Sequence, residues 1–396
     1  MRGTGTSFFQ APSYIQWVKA LVAHMPARPG AVGLFDATMA EPTAILRDVV
    51  RQVLDEPGQP RLRSVMDSGN PLVIEALAAR YGVGADQILC TTGALTGVSI
   101  VLKALLKPGD HILIERPHLD TLVEVAARTG AQIGYLDRHG DGGEIDPGQI
   151  GAKLRANTRL ILLTNLHNPT GAFLSDAALR GVAGALSGHT AKILVDEVYA
   201  DYVHRFEGGS PAVGLAGAFI SVNSLSKVYG LSALKCGWII ADPATIARIT
   251  PVHAREEFGV SKLTHAVASL VLEDETRFTD FVRATMVGAR PAVDAWAEPL
   301  RREGLIDGRT PEAGCLYFPR LPGIEDTRAF AARLWREQAV AVAPGELFQR
   351  PGHIRLGFGR DPAALEPPLD KLAKTLRAVR DEASAKSVMT NARSGR

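Results

Sequence analysis

Cysteine is scarce in this 396-residue chain. Cys90, Cys236 and Cys315 are too few and too far apart for a disulfide framework, and they lack metal-ligand spacing. They read as reduced thiols of a cytoplasmic protein. An excess of one charge is also missing. With 44 Lys and Arg against 42 Asp and Glu the formal net charge is +2, which offers no electrostatic case for nucleic acid or an anionic membrane. No apolar run approaches the length of a membrane span, and Met1-Arg2-Gly3-Thr4-Gly5 lacks the apolar core of a secretion signal. Internal repeats and low-complexity segments are absent too. What is present is the composition of an ordinary globular protein, 46% hydrophobic and 22% charged, long enough for two domains.

Residues 1–10 read as a loose polar arm. Apolar residues at helical spacing, Ile15, Val18, Leu21 and Val22, predict a helix over 14–24. A second is predicted over 42–54, then a Gly-, Pro- and Arg-rich connection over 56–70 and a helix over 72–81. From Gln87 onward strands and helices alternate. Strands are predicted at 88–90, 111–114, 133–136, 159–164, 192–198, 218–222 and 236–241, with helices over 94–106, 119–129 and 176–186. This alternation predicts an α/β fold, a mostly parallel seven-stranded sheet covered by helices on both faces. Beyond Pro243 helical periodicity takes over, through 263–272 and 277–305. Short strands around 316–318, 340–342 and 354–356, with helices over 327–338 and 364–380, make a smaller α+β unit. The small, polar and basic tail after Ala383 reads as disordered.

Between the apolar runs 218–222 and 237–240 lies Ser224-Leu225-Ser226-Lys227-Val228-Tyr229-Gly230-Leu231. A lone Ser-Lys turn is usually a solvated surface feature. Placed between two strands, this lysine sits at the mouth of a sheet, where α/β folds bind ligands. Partial burial lowers a lysine's pKa, and the neutral amine can form an imine with a carbonyl, so Lys227 is a Schiff-base candidate.

Four further features converge on the same edge. Asn168-Pro169-Thr170-Gly171 would by itself be a turn. Asp196 ends a strand in Val195-Asp196-Glu197-Val198-Tyr199, where a helix cap or a metal carboxylate is the commoner role. Gly93-Ala94-Leu95 opens a helix whose free N–H groups suit a phosphate. Arg355, in an Ile-Arg-Leu strand, would alone be an edge-strand charge. Together they supply what pyridoxal 5'-phosphate requires. Lys227 meets its aldehyde, Asp196 its pyridine nitrogen, Tyr199 and Asn168 its phenolic oxygen. Gly93, Ala94, Leu95, Ser224, Ser226 and Lys235 meet its phosphate. A ring nitrogen kept protonated makes this cofactor an electron sink.

Asn-Pro-x-Gly, Asp-x-x-Tyr and Ser-x-Ser-Lys-x-x-Gly-Leu stand here in the order seen in the class I/II aminotransferases, the fold-type I pyridoxal-phosphate enzymes. The chain resembles that family over roughly residues 30–380. The resemblance implies a large cofactor-binding domain over 51–285. It implies a small domain joining residues 1–50 to 286–383, a flexible tail at 384–396, and a homodimer with sites at its interface. It also implies that Arg355, after Pro344-Gly345, grips a substrate α-carboxylate. Several positions depart from the family's pattern. Lys235 replaces an arginine and lacks its bidentate fork. Leu119 stands near the position of a ring-stacking aromatic residue, leaving the ring face to Leu119 or to His118. No tyrosine lies between Arg61 and Gly69 to reach a partner's phosphate, and Ala40 replaces the glycine of a Gly-Glu-Pro near the substrate.

The activity implied is transfer of an amino group from an amino acid to a 2-oxo acid, with Lys227 as base and acid. A lyase or amino-acid cyclase on the same cofactor is the alternative. A regulator of the kind fused to DNA-binding domains is disfavoured by the balanced charge and by the lack of a helix-turn-helix before residue 12. His204, His253, His265 and His353 lack ligand spacing and read as structural, as does His167 beside Asn168.

Overall fold

The apolar runs of the middle of the chain assemble into one sheet because both of its faces are covered. In the computed structural model, residues 7–63, 68–139, 143–206 and 208–394 are described, 386–394 through their backbone alone. The strands are β1 (Val32–Gly33), β2 (Ile88–Thr92), β3 (His111–Arg116), β4 (Gln132–Asp137), β5 (Thr158–Thr164), β6 (Lys192–Asp196), β7 (Phe219–Ser224), β8 (Cys236–Ile240), β9 (Leu316–Tyr317), β10 (Val340–Ala341), β11 (Ala343–Pro344) and β12 (Ile354–Gly357). The large sheet is seven-stranded with the order β2-β8-β7-β6-β5-β3-β4. Only β8 runs against its neighbours; it is antiparallel to both β2 and β7. The C-terminal ends of all the other strands therefore share one edge.

Alternate residues of each strand feed different cores. Leu160, Leu162, Leu194 and Val222 pack beneath the helix Ala94–Leu105, while Ile161, Leu163, Ile193 and Val195 face the helix Asp176–Gly184. Burial on both faces explains why these strands read as continuous apolar runs.

The remaining strands join the two ends of the chain. β1 pairs in parallel with β10, and β11-β12-β9 form an antiparallel sheet. Gly357 lies so close to the 34–37 segment that a Cβ there would overlap the Asp36 carbonyl, and its N–H donates to Leu34 O at 2.6 Å. Among the described residues no helix is long and apolar enough to cross a membrane.

Both chain ends differ from the expectation. From Ser7 the arm is ordered into a short helical turn, Ser7–Gln10, because Phe8 and Phe9 are buried; Phe8 meets Trp335 edge-on at 6.0 Å. Residues 1–6 of the expected arm lie outside the described residues, as do 64–67 of the expected connection. At the other end the helix Pro362–Ser394 runs through most of the expected flexible tail. No glycine or proline interrupts the sequence between Leu369 and Ser394. Residues 395–396 lie outside the described residues. The strand expected over 192–198 ends at Asp196, and the one over 340–342 divides into β10 and β11.

Gly357→Ala should push the 34–37 segment off β12. A loss of roughly 1–3 kcal/mol is expected, the usual cost of overpacking, read as a lower thermal midpoint with native far-UV dichroism.

Candidate active site

The C-terminal sheet edge collects the motif residues. Lys227 follows β7, and its carbonyl accepts from Met39 N–H at 3.0 Å. Its Nζ donates to Thr38 Oγ1 at 3.0 Å. Burial pushes the amine's pKa down; Arg355 and Lys235 push the same way, and Asp36 and Cys315 oppose them. The loop beyond is clamped from behind. Tyr229 donates to Glu275 Oε2 at 2.8 Å, and buried Arg80 pairs with Asp201 at 2.5 Å and Glu275 at 2.7 Å beneath the Trp238 ring. Gly230 adopts φ +68°, and a Cβ there would press on Ala40 O at 2.5 Å, so only glycine admits this close approach. Ala40 in turn donates its N–H to Gly359 O at 2.6 Å.

Asp196 closes β6 with its Oδ1 accepting from Val198 N–H at 3.2 Å. Burial lifts its carboxyl to about 6; Val198 N–H and Lys227 pull it down and Glu115 pushes it up. Among the described residues no cation pairs with it. Asn168 follows β5, its N–H donating to Thr164 Oγ1 at 3.2 Å. Thr164 is itself fixed by Glu115, which accepts from its N–H and its hydroxyl at 2.6 Å each. Arg138 holds Glu115 in an ion pair of 2.7 Å, 1% exposed on both sides. This buried pair sets the position of the Asn168 turn.

Arg355 is no edge charge. Buried to 1%, its Nη1 donates to Asn168 Oδ1 at 2.8 Å and its Nη2 to Tyr14 OH at 2.5 Å and Phe35 O at 2.8 Å. The rings of Tyr14 and Phe348 lie 5.0 and 4.9 Å from the guanidinium. Its Nε has no partner among the described residues, so the fork retains a free donor. Tyr199 is buried nearby; burial raises its phenol's pKa and Arg355 pulls it back.

The turn after β2 meets the needs of a phosphate. Gly93 takes φ +82°, no side chain caps the helix Ala94–Leu105, and Gly97 N–H is the first helical amide bonded within the turn, 3.3 Å from Gly93 O. A Cβ on Gly237 would lie 2.6 Å from Gly93 C and 2.7 Å from Ala94 N. Glycine therefore lets the start of β8 lie against the helix start, bringing exposed Lys235 to this edge. Ser226 N–H donates to Ser224 Oγ at 3.3 Å on the neighbouring strand end. Beside the turn, Glu257 accepts from Thr92 N–H at 2.6 Å and Thr92 Oγ1 at 2.8 Å, so an anionic oxygen is already accommodated there. An uncapped helix start, a half-buried carboxylate without an ion-pair partner and an amine of lowered pKa fit pyridoxal phosphate in the chemistry of their donors.

The histidines are engaged elsewhere. His118 is buried, its ring stacked on Tyr135 at 5.8 Å and 6°, which leaves Leu119 as the candidate for the ring face. His167 sits between Thr170 Oγ1 at 2.7 Å and Pro117 O at 2.8 Å, a satisfied turn histidine. Sequence motifs do not mark Thr38, Tyr14, Asp36, Glu115 or Arg138, all of which the fold brings to this region. For Asp36 and Thr38 the only signal was their nearness to Ala40-Glu41-Pro42.

Since burial raises the Asp196 carboxyl to about 6, the stability tied to its protonated form is lost as pH rises through that value. Asp196→Asn should stabilise the cofactor-free protein at pH 8 by on the order of 2 kcal/mol, with the difference vanishing as pH falls toward about 4. Paired thermal melts across this range test the sign.

The family model described as aminotransferase class I and II matches residues 37–372. The arginine–pyruvate transaminase AruH of Pseudomonas aeruginosa is 28% identical over 282 residues, 70% of this chain and 71% of that protein. The capreomycidine synthase of Streptomyces vinaceus is 25% identical over 376 residues, 94% of this chain and 96% of that protein. Among solved structures, the PLP-dependent cyclase OrfR superposes with a TM-score of 0.77 at 27% identity, covering 89% of this chain and 94% of that one. The chain belongs to the class I and II aminotransferase family.

Proposed function

We propose that this aminotransferase moves amino groups between an amino acid and a 2-oxo acid with pyridoxal 5'-phosphate held on Lys227. One observation carries the reading: an amine of lowered pKa, a half-buried carboxylate without an ion-pair partner and a buried guanidinium meet at one sheet edge. Asp196 keeps the cofactor's ring nitrogen protonated, and Tyr199 and Asn168 serve its phenolic oxygen. Gly93, Ala94, Leu95, Ser224, Ser226 and Lys235 hold its phosphate, and Leu119 covers a ring face. When bound, the cofactor supplies an electron sink for charge developing on the substrate's α-carbon.

The chain's own residues do the rest. Arg355 binds the α-carboxylate with its planar fork, with Asn168 beside it, and Ala40 borders the substrate. Burial keeps a fraction of Lys227 neutral, so its Nζ can take the α-proton and return it, with Thr38 Oγ1 orienting it. Glu115 and Arg138 hold Thr164, and through it Asn168, in place. The large unit spans 51–285, and residues 1–50 with 286–383 form the smaller one. The working assembly is a cytoplasmic homodimer with sites at its interface.

A second reading, an amino-acid cyclase or lyase on the same cofactor, draws on the capreomycidine synthase match over 94% of the chain and on the likeness to OrfR. Stoichiometric consumption of a 2-oxo acid favours the transaminase; product formation without any acceptor favours the cyclase or lyase. Lys227→Ala should cut turnover at least about 10⁴-fold while the protein retains cofactor noncovalently, seen as a shifted visible absorbance band. Wild-type-like turnover in that variant would overturn the assignment.

A further inference from the structure

A single stretch of backbone, Phe35 to Thr38, runs between the two groups assigned to an amino-acid substrate. Its Phe35 carbonyl accepts from Arg355 Nη2 at 2.8 Å, and its Thr38 hydroxyl accepts from Lys227 Nζ at 3.0 Å. Side chains along it alternate. Phe35 and Ala37 are buried in the core, whereas Asp36 is exposed and Thr38 half-buried on the side of the lysine. Asp36 Oδ1 accepts from Thr38 N–H at 3.1 Å, an Asx turn that fixes its carboxylate.

That carboxylate has no ion-pair partner among the described residues. Its charge is nevertheless felt by Lys227, Tyr199, Cys315 and Arg360, which places it among the groups of the cleft. Arg360, the cation that could have neutralised it, is engaged with Gly33 O at 2.8 Å through Nη2. The turn itself does not need a charge, because Asn or Ser makes the same hydrogen bond. Asp36 also opposes the lowering of the Lys227 pKa that the reaction uses. A carboxylate here that forms a direct ion pair with neither Lys227 nor Arg360 is free to take a cation that the ligand brings. Arg355 already matches the α-carboxylate that every amino acid carries, so the unmatched charge is that of Asp36.

Building on the aminotransferase reading, we propose that Asp36 binds the cationic side chain, guanidinium or ammonium, of the amino-acid substrate and so sets the enzyme's specificity for basic amino acids. An anionic side chain would meet repulsion at the same carboxylate, so dicarboxylic donors are excluded.

The test compares half-reactions of the holoenzyme with arginine, its neutral isostere citrulline, and glutamate, followed by cofactor absorbance. Wild-type kcat/KM should favour arginine over citrulline by about 10–100-fold, the span expected for a hydrogen bond to a charged group. Asp36→Asn should bring that ratio to within about 3-fold of unity, Asp36→Glu should keep most of it, and Asp36→Lys should shift preference toward glutamate. If Asp36 instead served the α-ammonium common to all donors, Asp36→Asn would weaken each equally; an unchanged ratio therefore overturns the proposal. So does a wild-type enzyme that takes citrulline or glutamate as readily as arginine. A holoenzyme whose absorbance responds to no amino acid overturns the aminotransferase reading itself, and the two failures are thereby distinguished.

Discussion

Two opposite charges are partly withdrawn from water at one sheet edge without forming an ion pair with each other. Lys227 donates to the Thr38 hydroxyl and Asp196 accepts from the Val198 amide; no ion pair joins them. Desolvation then moves both groups toward neutrality, the amine downward and the carboxyl up to about 6. A direct salt bridge would have satisfied both and left nothing for a ligand. Held apart, they present an amine suited to a carbonyl and a carboxylate suited to a cationic ring nitrogen.

Maintaining that separation requires rigid support, and buried ion pairs and glycines provide it. The Glu115–Arg138 pair holds Thr164, and Thr164 holds the Asn168 turn. Arg80, with Asp201 and Glu275, braces the loop after Lys227 through Tyr229. Buried pairs of this kind add little net stability, because desolvation offsets their attraction, but they specify position. Gly230 and Gly237 act by omission: without a Cβ, backbones approach until the lysine loop meets Ala40 and β8 meets the helix start at Gly93.

The segment from β1 to Ala40 ties these parts together. It is anchored to the C-terminal third through β10 and Gly357, and it delivers Phe35 O to Arg355 and Thr38 Oγ1 to Lys227. The lysine loop beyond the large sheet and the arginine of β12 thus meet through this one stretch. Asp36 lies at its centre, its Oδ1 accepting from Thr38 N–H.

Much of this was readable from the residues alone. Continuous apolar runs and the strand–helix rhythm gave the sheet, because covering both faces forces apolar runs and the turns between them need glycine, proline and asparagine. Lys227, Asp196, Asn168 and Arg355 were identifiable because each is a charged or polar residue at the end of, or within, an apolar strand. The helix past Ala383 was misread because its polar composition outweighed the absence of a breaker. The tertiary structure alone decided that Arg355 is buried against Tyr14, 341 positions away, that His118 turns to Tyr135, and that Thr38 and Asp36 flank the lysine. Such pairings follow from how distant backbones stack and which Cβ atoms are missing between them, and no local pattern in the chain encodes that geometry.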